Sequence, residues 1–281
     1  MIVQFLMSSV ARMKSPVKDA TATPFRELNQ VLDELVTSVR SILGGDFLGA
    51  YLHGSFALGE FDVHSDVDFL VAVEGEVTED HLAALQAMHG RVYDLDSKWA
   101  KHLEGSYFPK TTLRRYDPAS EPLHYLDNTG RALVLSKHDD SLVVRWIVRE
   151  CGVVLAGPAP EKLIDLITAD DLRVEVISTM HTWAQELFAK PEKMNNRWYQ
   201  PFAVVSYCRM LQTLQTGRVG SKPDAVRWAL ESLDSRWRAL IQRAWDERPD
   251  PSLKVRQEAD PDEFKLTLDF IKYALNTTTH A

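Results

Sequence analysis

The sequence predicts an α+β protein, with a small mixed-sheet domain followed by an all-α helical bundle. Three observations carry this. The first half holds short alternating or wholly apolar runs of strand length, among them Leu48-Gly49-Ala50-Tyr51-Leu52, Phe69–Val73 and Ala132–Leu135. Gly157-Pro158-Ala159-Pro160 then breaks the chain more sharply than any other run. Beyond it the apolar spacing is helical throughout. The expected organisation is a leader over 1–22, a sheet domain over 23–157 and a helical domain over 158–281.

Within the first half, Thr23-Pro24 reads as an N-cap and first helical residue. Phe25, Leu28, Val31, Leu32, Leu35, Val36, Val39 and Ile42 then keep helical spacing until Gly44-Gly45 ends the helix. A strand runs into His53, Gly54-Ser55 turns the chain, and a short helix leads to Asp66-Val67-Asp68 at the head of a second strand. Thr78 is the expected cap of a helix carrying Leu82, Leu85, Met88, Val92 and Leu95, with Gly90 as an interruption. Lys101–Pro109 reads as a strand ended by proline. His124–Leu126 and Ala132–Leu135 read as short strands around an Asp127-Asn128-Thr129-Gly130 turn. Asp139-Asp140 lead a helix, Leu142–Glu150, and a short apolar segment follows.

In the second half, five helices are expected. They are marked by Leu172–Leu187, by Trp198–Leu211 up to Gly217, by a start near Ser221 and Pro223, by Trp237–Trp245, and by Phe264–Leu275. Five helices with short connections make a bundle. The tryptophans between 183 and 245 are expected in its core.

Composition narrows the function classes. A length of 281 residues suits one large or two modest domains with an ample core. A net charge of −8 without a long basic run argues against a nucleic-acid footprint and is compatible with a cationic small substrate. Two cysteines, Cys151 and Cys208, are too few for a disulfide framework, and a reducing, cytoplasmic setting is expected. No apolar run approaches the roughly eighteen residues of a membrane span. The leader is basic and free of acids through Lys18. It reads as a frayed extension, or one upstream of a start at Met7 or Met13, ahead of an organelle-targeting role.

The chemistry concentrates in Tyr51–Val73. Period two puts Asp66 and Asp68 on one side of the strand and Val67 and Phe69 on the other. Two adjacent carboxylates repel by roughly 4 kcal/mol at 4 Å and an effective dielectric of 20. A bridging cation relieves this, and carboxylates with waters and substrate phosphates suit Mg²⁺. Gly54 allows close backbone approach to a ligand, and Ser55 adds a hydroxyl where phosphate oxygens are favoured. A nucleoside triphosphate with Mg²⁺ fits this set, to which Ser65 is assigned as a further binding residue. The competing local reading is a turn with two solvated aspartates.

Gly54-Ser55 with Asp66-x-Asp68 at the head of an apolar strand resembles the signature of the nucleotidyltransferase superfamily with the polymerase-β-like fold. The second half extends the resemblance to the aminoglycoside 3''- and 9-adenylyltransferases, which inactivate streptomycin and spectinomycin. It is carried by Leu155-Ala156-Gly157-Pro158, Arg209, Thr216-Gly217-Arg218-Val219, Ser221-Lys222 and Tyr273, and it spans nearly all of the chain after residue 45. The resemblance implies a third carboxylate on the strand after the intervening helix, where Glu104 stands. Glu104 would share the cation with Asp66 and Asp68 or take the proton of an attacking hydroxyl, and the sequence leaves both roles open. It further implies ATP as co-substrate, Arg209 and Lys222 on its phosphates with Tyr273 nearby, and a small-molecule hydroxyl acceptor. The bland readings are a strand-end glutamate and two surface cations. One departure is visible: Tyr199 and Gln200 stand where the family has acidic residues facing the aminoglycoside. Another acceptor, a protein or metabolite, and a non-catalytic nucleotide-binding regulator are the alternatives.

Overall fold

The computed structural model describes residues 21–61, 65–247 and 257–278. Residues 1–20 of the expected leader lie outside these. Residues Arg26–Leu43 form α1, Phe47–Leu52 β1, Gly54–Leu58 α2, Val67–Val73 β2 and Glu79–Tyr93 α3. Leu103–Pro109 (β3), Lys110–Arg114 (α4), Leu123–Leu126 (β4), Leu133–Ser136 (β5), Leu142–Cys151 (α5) and Val153–Ala156 (β6) complete the sheet region. The helical region holds α6 (Ala169–Ala189), α7 (Tyr199–Thr216), α8 (Lys222–Ser232), α9 (Arg238–Asp246) and α10 (Pro261–Thr277). The α+β class read from the sequence is therefore the observed one.

The strands form one sheet in the order β5-β4-β3-β2-β1-β6. Only β2 and β3 pair in parallel, with α3 as the crossover, and the other pairings are antiparallel, so the sheet is mixed. On β2, Val67, Phe69, Val71 and Val73 join Leu28, Leu32, Leu35 and Val39 of α1 and Leu85, Met88 and Val92 of α3 in one core. Leu70 and Ala72 point the other way, into a core with Ile147 and Val148 of α5 and with Leu163, Ile164, Ile167 and Leu172. A third core lies within α6 to α10.

Local starts and stops follow side-chain chemistry. Thr78 caps α3 by accepting from the His81 N–H at 3.2 Å, and Gly44 ends α1 with φ +54°. Thr168 and Asp171 cap α6 reciprocally, and Gly217 ends α7 in the left-handed region. Three boundaries differ from the sequence reading. α1 begins at Arg26, because Thr23 uses its N–H and hydroxyl on the Asn29 side chain, both at 3.0 Å, from outside the helix. β3 begins at Leu103, because Trp99–Lys101 form a 3-10 turn in which the Lys101 and His102 N–H groups donate to the Lys98 and Trp99 carbonyls, each at 3.1 Å. Gly90 lies within α3 without interrupting it.

The Gly157–Pro160 run does not isolate the helical region from the sheet. Tyr51 of β1 donates its hydroxyl to the Pro158 carbonyl at 2.8 Å, and residues just beyond it cover one face of the sheet. Among the described residues, no helix is long and apolar enough to cross a membrane. Cys151 and Cys208 are not joined in a disulfide.

Candidate active site

The site lies on the sheet face that looks toward the helical region. In the parallel pairing of β2 with β3, Asp68 stands opposite Glu104 in register. Directly paired residues share a face, so two carboxylates from distant stretches of the chain lie side by side. Asp66 precedes β2 and adds a third. Their charges are mutually felt: burial, then Asp68, then Glu104 push the Asp66 carboxyl up to about 6. Asp68 is raised by burial first, with Glu104 and Asp139 adding to it and His53 and Lys222 opposing it.

Gly54 belongs to this geometry. It takes φ +55°, and a Cβ there would lie 1.8 Å from Asp68 Oδ2, so the backbone turns directly against the carboxylate. His53, just before it, donates its backbone N–H to the Asp68 carbonyl at 2.9 Å. The buried Ser55 Oγ and His53 Nε2 have no hydrogen-bond partner within the protein. Such orphaned polar atoms at a cluster of acids mark a place prepared for a polar ligand.

Glu104 is held differently. Its Oε1 accepts from the Tyr125 hydroxyl at 2.5 Å and lies 3.2 Å from His138 Nε2. Burial works to raise the Glu104 carboxyl, yet the bonds from His138 and Tyr125 hold it below its ordinary value. His138 is pushed up in return, chiefly by the same bond. The loop that presents His138 is pinned on both sides. Ser106, two residues along from Glu104, donates to Asp139 Oδ2 at 2.7 Å, and Asp140 pairs with the buried Arg145 at 2.6 Å. Asp66 Oδ1 accepts from Asn128 Nδ2, whose own amide oxygen meets His102 Nδ1 at 3.1 Å.

Two cations reach the acids from the helical region. Arg209 of α7 feels the Asp68 charge, although burial still lowers its pKa, and its Nε is buried without a partner. Lys222, the first residue of α8, exerts its charge on both Asp66 and Asp68. Among the described residues, no three His, Cys, Asp or Glu side chains make a closed metal-ligand set. The donor set is one of hard carboxylate oxygens, which suits a Mg²⁺ completed by waters and phosphate oxygens better than an all-protein cage.

Residues 32–115 match the nucleotidyltransferase domain family, and residues 162–273 match the C-terminal domain of aminoglycoside adenylyltransferases. The chain is a nucleotidyltransferase resembling the aminoglycoside adenylyltransferases. An aminoglycoside (3'')(9) adenylyltransferase of Shigella flexneri is 24% identical over 233 residues, covering 78% of this chain and 84% of its own. A spectinomycin 9-adenylyltransferase of Staphylococcus aureus is 25% identical over 228 residues, covering 77% and 83%. The fold is shared with a spectinomycin adenyltransferase of Enterococcus faecialis, solved with ATP and spectinomycin. That match has a TM-score of 0.64 at 16% identity and covers 88% of this chain and 98% of that one.

The enzyme thus brings Asp66, Asp68, Glu104, Gly54, Ser55, Arg209 and Lys222 to one place, and Ser65 immediately precedes the aspartates. Tyr273, half-buried, packs its ring on Trp237 and Phe270 under the Arg236 guanidinium, against the bundle core. Tyr199 and Gln200 do not stand free to meet a substrate with charge. The Tyr199 hydroxyl accepts from Trp183 Nε1 at 2.9 Å, and the buried Gln200 donates to Thr267 Oγ1 at 2.7 Å. His53, Tyr125, Asn128, His138 and Asp139 are site neighbours that sequence reasoning missed. Only His53 had a local signal, its place between the first strand and Gly54-Ser55.

Proposed function

We propose that the enzyme transfers AMP from ATP to a hydroxyl of a small aminoglycoside or aminocyclitol. The carrying observation is the in-register pair Asp68–Glu104 with Arg209 and Lys222 acting on the same group of acids. In this reading, residues 23–157 form the nucleotidyltransferase domain and 158–281 the helical domain that closes over the nucleotide. Asp66 and Asp68 would hold Mg²⁺, which neutralises phosphate charge and polarises the α-phosphate. Ser55 offers its unpartnered hydroxyl to the triphosphate, while Arg209 and Lys222 offset the charge that collects on the leaving pyrophosphate. Ser65 borders the same binding space.

Glu104 Oε1 is engaged by Tyr125 and His138, which leaves Oε2 for one task. We assign it the acceptor proton. The acceptor O–H bond breaks toward Glu104 Oε2 as the oxygen bonds to the α-phosphorus, and the bond from that phosphorus to the bridging oxygen breaks to release pyrophosphate. The lowered pKa keeps Glu104 ionised and ready at neutral pH.

The test is pyrophosphate release with ATP and Mg²⁺ in the presence of spectinomycin or streptomycin. Release with either, and a product heavier by one AMP, supports the proposal. Glu104→Gln should lower kcat at least about a hundredfold with ATP binding intact. Undiminished release by that variant would overturn the role of Glu104. Turnover with neither antibiotic would move the acceptor to another metabolite, as the lack of acids on α7 already allows.

A further inference from the structure

Glu60 lies outside every role described so far, yet it joins the two halves of the site. It follows Gly59, which ends α2 in the left-handed region with φ +78°, and the Glu60 N–H donates to the Ser55 carbonyl at 3.2 Å. Both carboxylate oxygens then cross to α8. Oε2 accepts from the Ser221 hydroxyl, and Oε1 accepts from Arg227 Nη2 at 2.9 Å. Ser221 is the N-cap of α8, accepting from the Asp224 N–H at 3.1 Å with the same oxygen that donates to Glu60. Burial works against ionisation of Glu60, but Ser221 and Arg227 hold its carboxyl below the ordinary value.

Lys222 sits between these two anchors. It is the first helical residue after Ser221, on an exposed position of a helix whose buried residues Ala225, Val226 and Ala229 belong to the bundle core. Val219, three residues before Lys222, joins the core of Leu70 and Ala72 of β2 and brings the start of α8 near the sheet. We propose that Glu60 is the positioning residue that then sets its first turn, holding Lys222 over the aspartates and in register with Ser55. The run Ser55–Glu60 and the bond to Ser221 link one phosphate contact of the sheet domain to one of the helical domain. A nucleotide entering the site meets them already spaced, so less of its binding free energy is spent on ordering the cation. This rests on the reading of Lys222 as a phosphate contact.

The test uses the full chain and compares Glu60→Ala, Glu60→Gln, Lys222→Ala and the double variant Glu60→Ala/Lys222→Ala. ATP affinity is titrated with Mg²⁺ in the absence of acceptor, and kcat is measured separately. Amide exchange over residues 222–226 reports the position of α8, and thermal melts check folding. Lys222→Ala and Glu60→Ala should each weaken ATP binding by about tenfold, and the double variant should be no weaker than Lys222→Ala, because the two act through one contact. Glu60→Gln, which keeps one acceptor for Ser221, should fall between wild type and Glu60→Ala. Exchange at the start of α8 should quicken in Glu60→Ala and not in Lys222→Ala. Additive losses, or Glu60→Ala with wild-type affinity beside a weakened Lys222→Ala, would overturn the role of Glu60 alone. Unchanged affinity in Lys222→Ala would overturn the phosphate contact and the positioning role with it.

Discussion

On β2 the side chains Val67, Phe69, Val71 and Val73 enter the core beneath α1 and α3, whereas Asp68, Leu70 and Ala72 face α5 and the start of α6. The first face is dry and made for stability. A buried imidazole there, His89, stacks on Phe69 and meets the Tyr107 hydroxyl at 2.8 Å through Nε2, while its Nδ1 has no hydrogen-bond partner within the protein. The second face begins with Asp66 and Asp68, whose carboxyls are raised by burial first and then by neighbouring acids, and with orphaned polar atoms that no protein group satisfies. One strand therefore stabilises the fold with alternate residues and carries unrelieved charge on the others. Activity and stability should respond oppositely when the two faces are altered.

The largest effect is expected at Asp68. Asp68→Asn keeps the shape beside Gly54 but removes the charge that would hold Mg²⁺. Such a contact is worth several kcal/mol in the transition state, so turnover should fall by about a thousandfold or more. The metal-free fold should melt no lower than wild type, because one of three repelling charges is gone. Pyrophosphate release and a thermal melt, read together, check this. A variant that loses activity only by unfolding would show that Asp68 belongs to the structural side of the comparison.

The dry face should show its character in pH dependence. Burial lowers the His89 pKa to about 4, while an unfolded histidine titrates near 6.5. Between these values the unfolded chain takes up the proton first. The stability due to neutral His89 is therefore fully present above about pH 6.5 and is lost as pH falls toward 4. At pH 5 the loss is about 2 kcal/mol relative to pH 7. Urea melts at both values should show that loss in wild type and less of it in His89→Gln, whose amide can still reach Tyr107. Equal losses in both would mean that His89 is not the group responsible.

How much of this was legible in the sequence follows from range. The Gly54-Ser55 turn, the alternation of β2 and the five helices beyond Pro160 depend on residues close together in the chain, and their patterns are visible there. The Asp68–Glu104 register is a long-range pairing across α3, and only the family resemblance pointed to Glu104. Tyr125, His138 and Glu60 act through pairings with β3 or α8 that no local pattern encodes. Thr23 shows the converse limit, for a good capping residue was drawn to Asn29 and the helix began later. Tyr273 was expected near the nucleotide from the resemblance alone, and its ring contact with Trp237 is again long-range packing that no local pattern encodes.

The smallest expected effect separates position from chemistry on the charged face. Tyr125 reaches Glu104 from β4, on the strand next to its own, and its phenol is pushed well above the ordinary range, first by burial and then by the Glu104 bond. It therefore stays a donor and never competes for the acceptor proton. Tyr125→Phe removes one bond to an ionised carboxylate, which costs about 1.5 kcal/mol, or roughly tenfold in kcat. The KM for ATP should not change, since the phenol is bonded to the base and not to the nucleotide contacts. Without that donor the ionised form of Glu104 is less favoured, so its pKa rises and the acidic limb of the pH–rate profile moves to higher pH. A loss of kcat without that movement would mean that Tyr125 only packs against the sheet, and that His138 alone sets the state of the base.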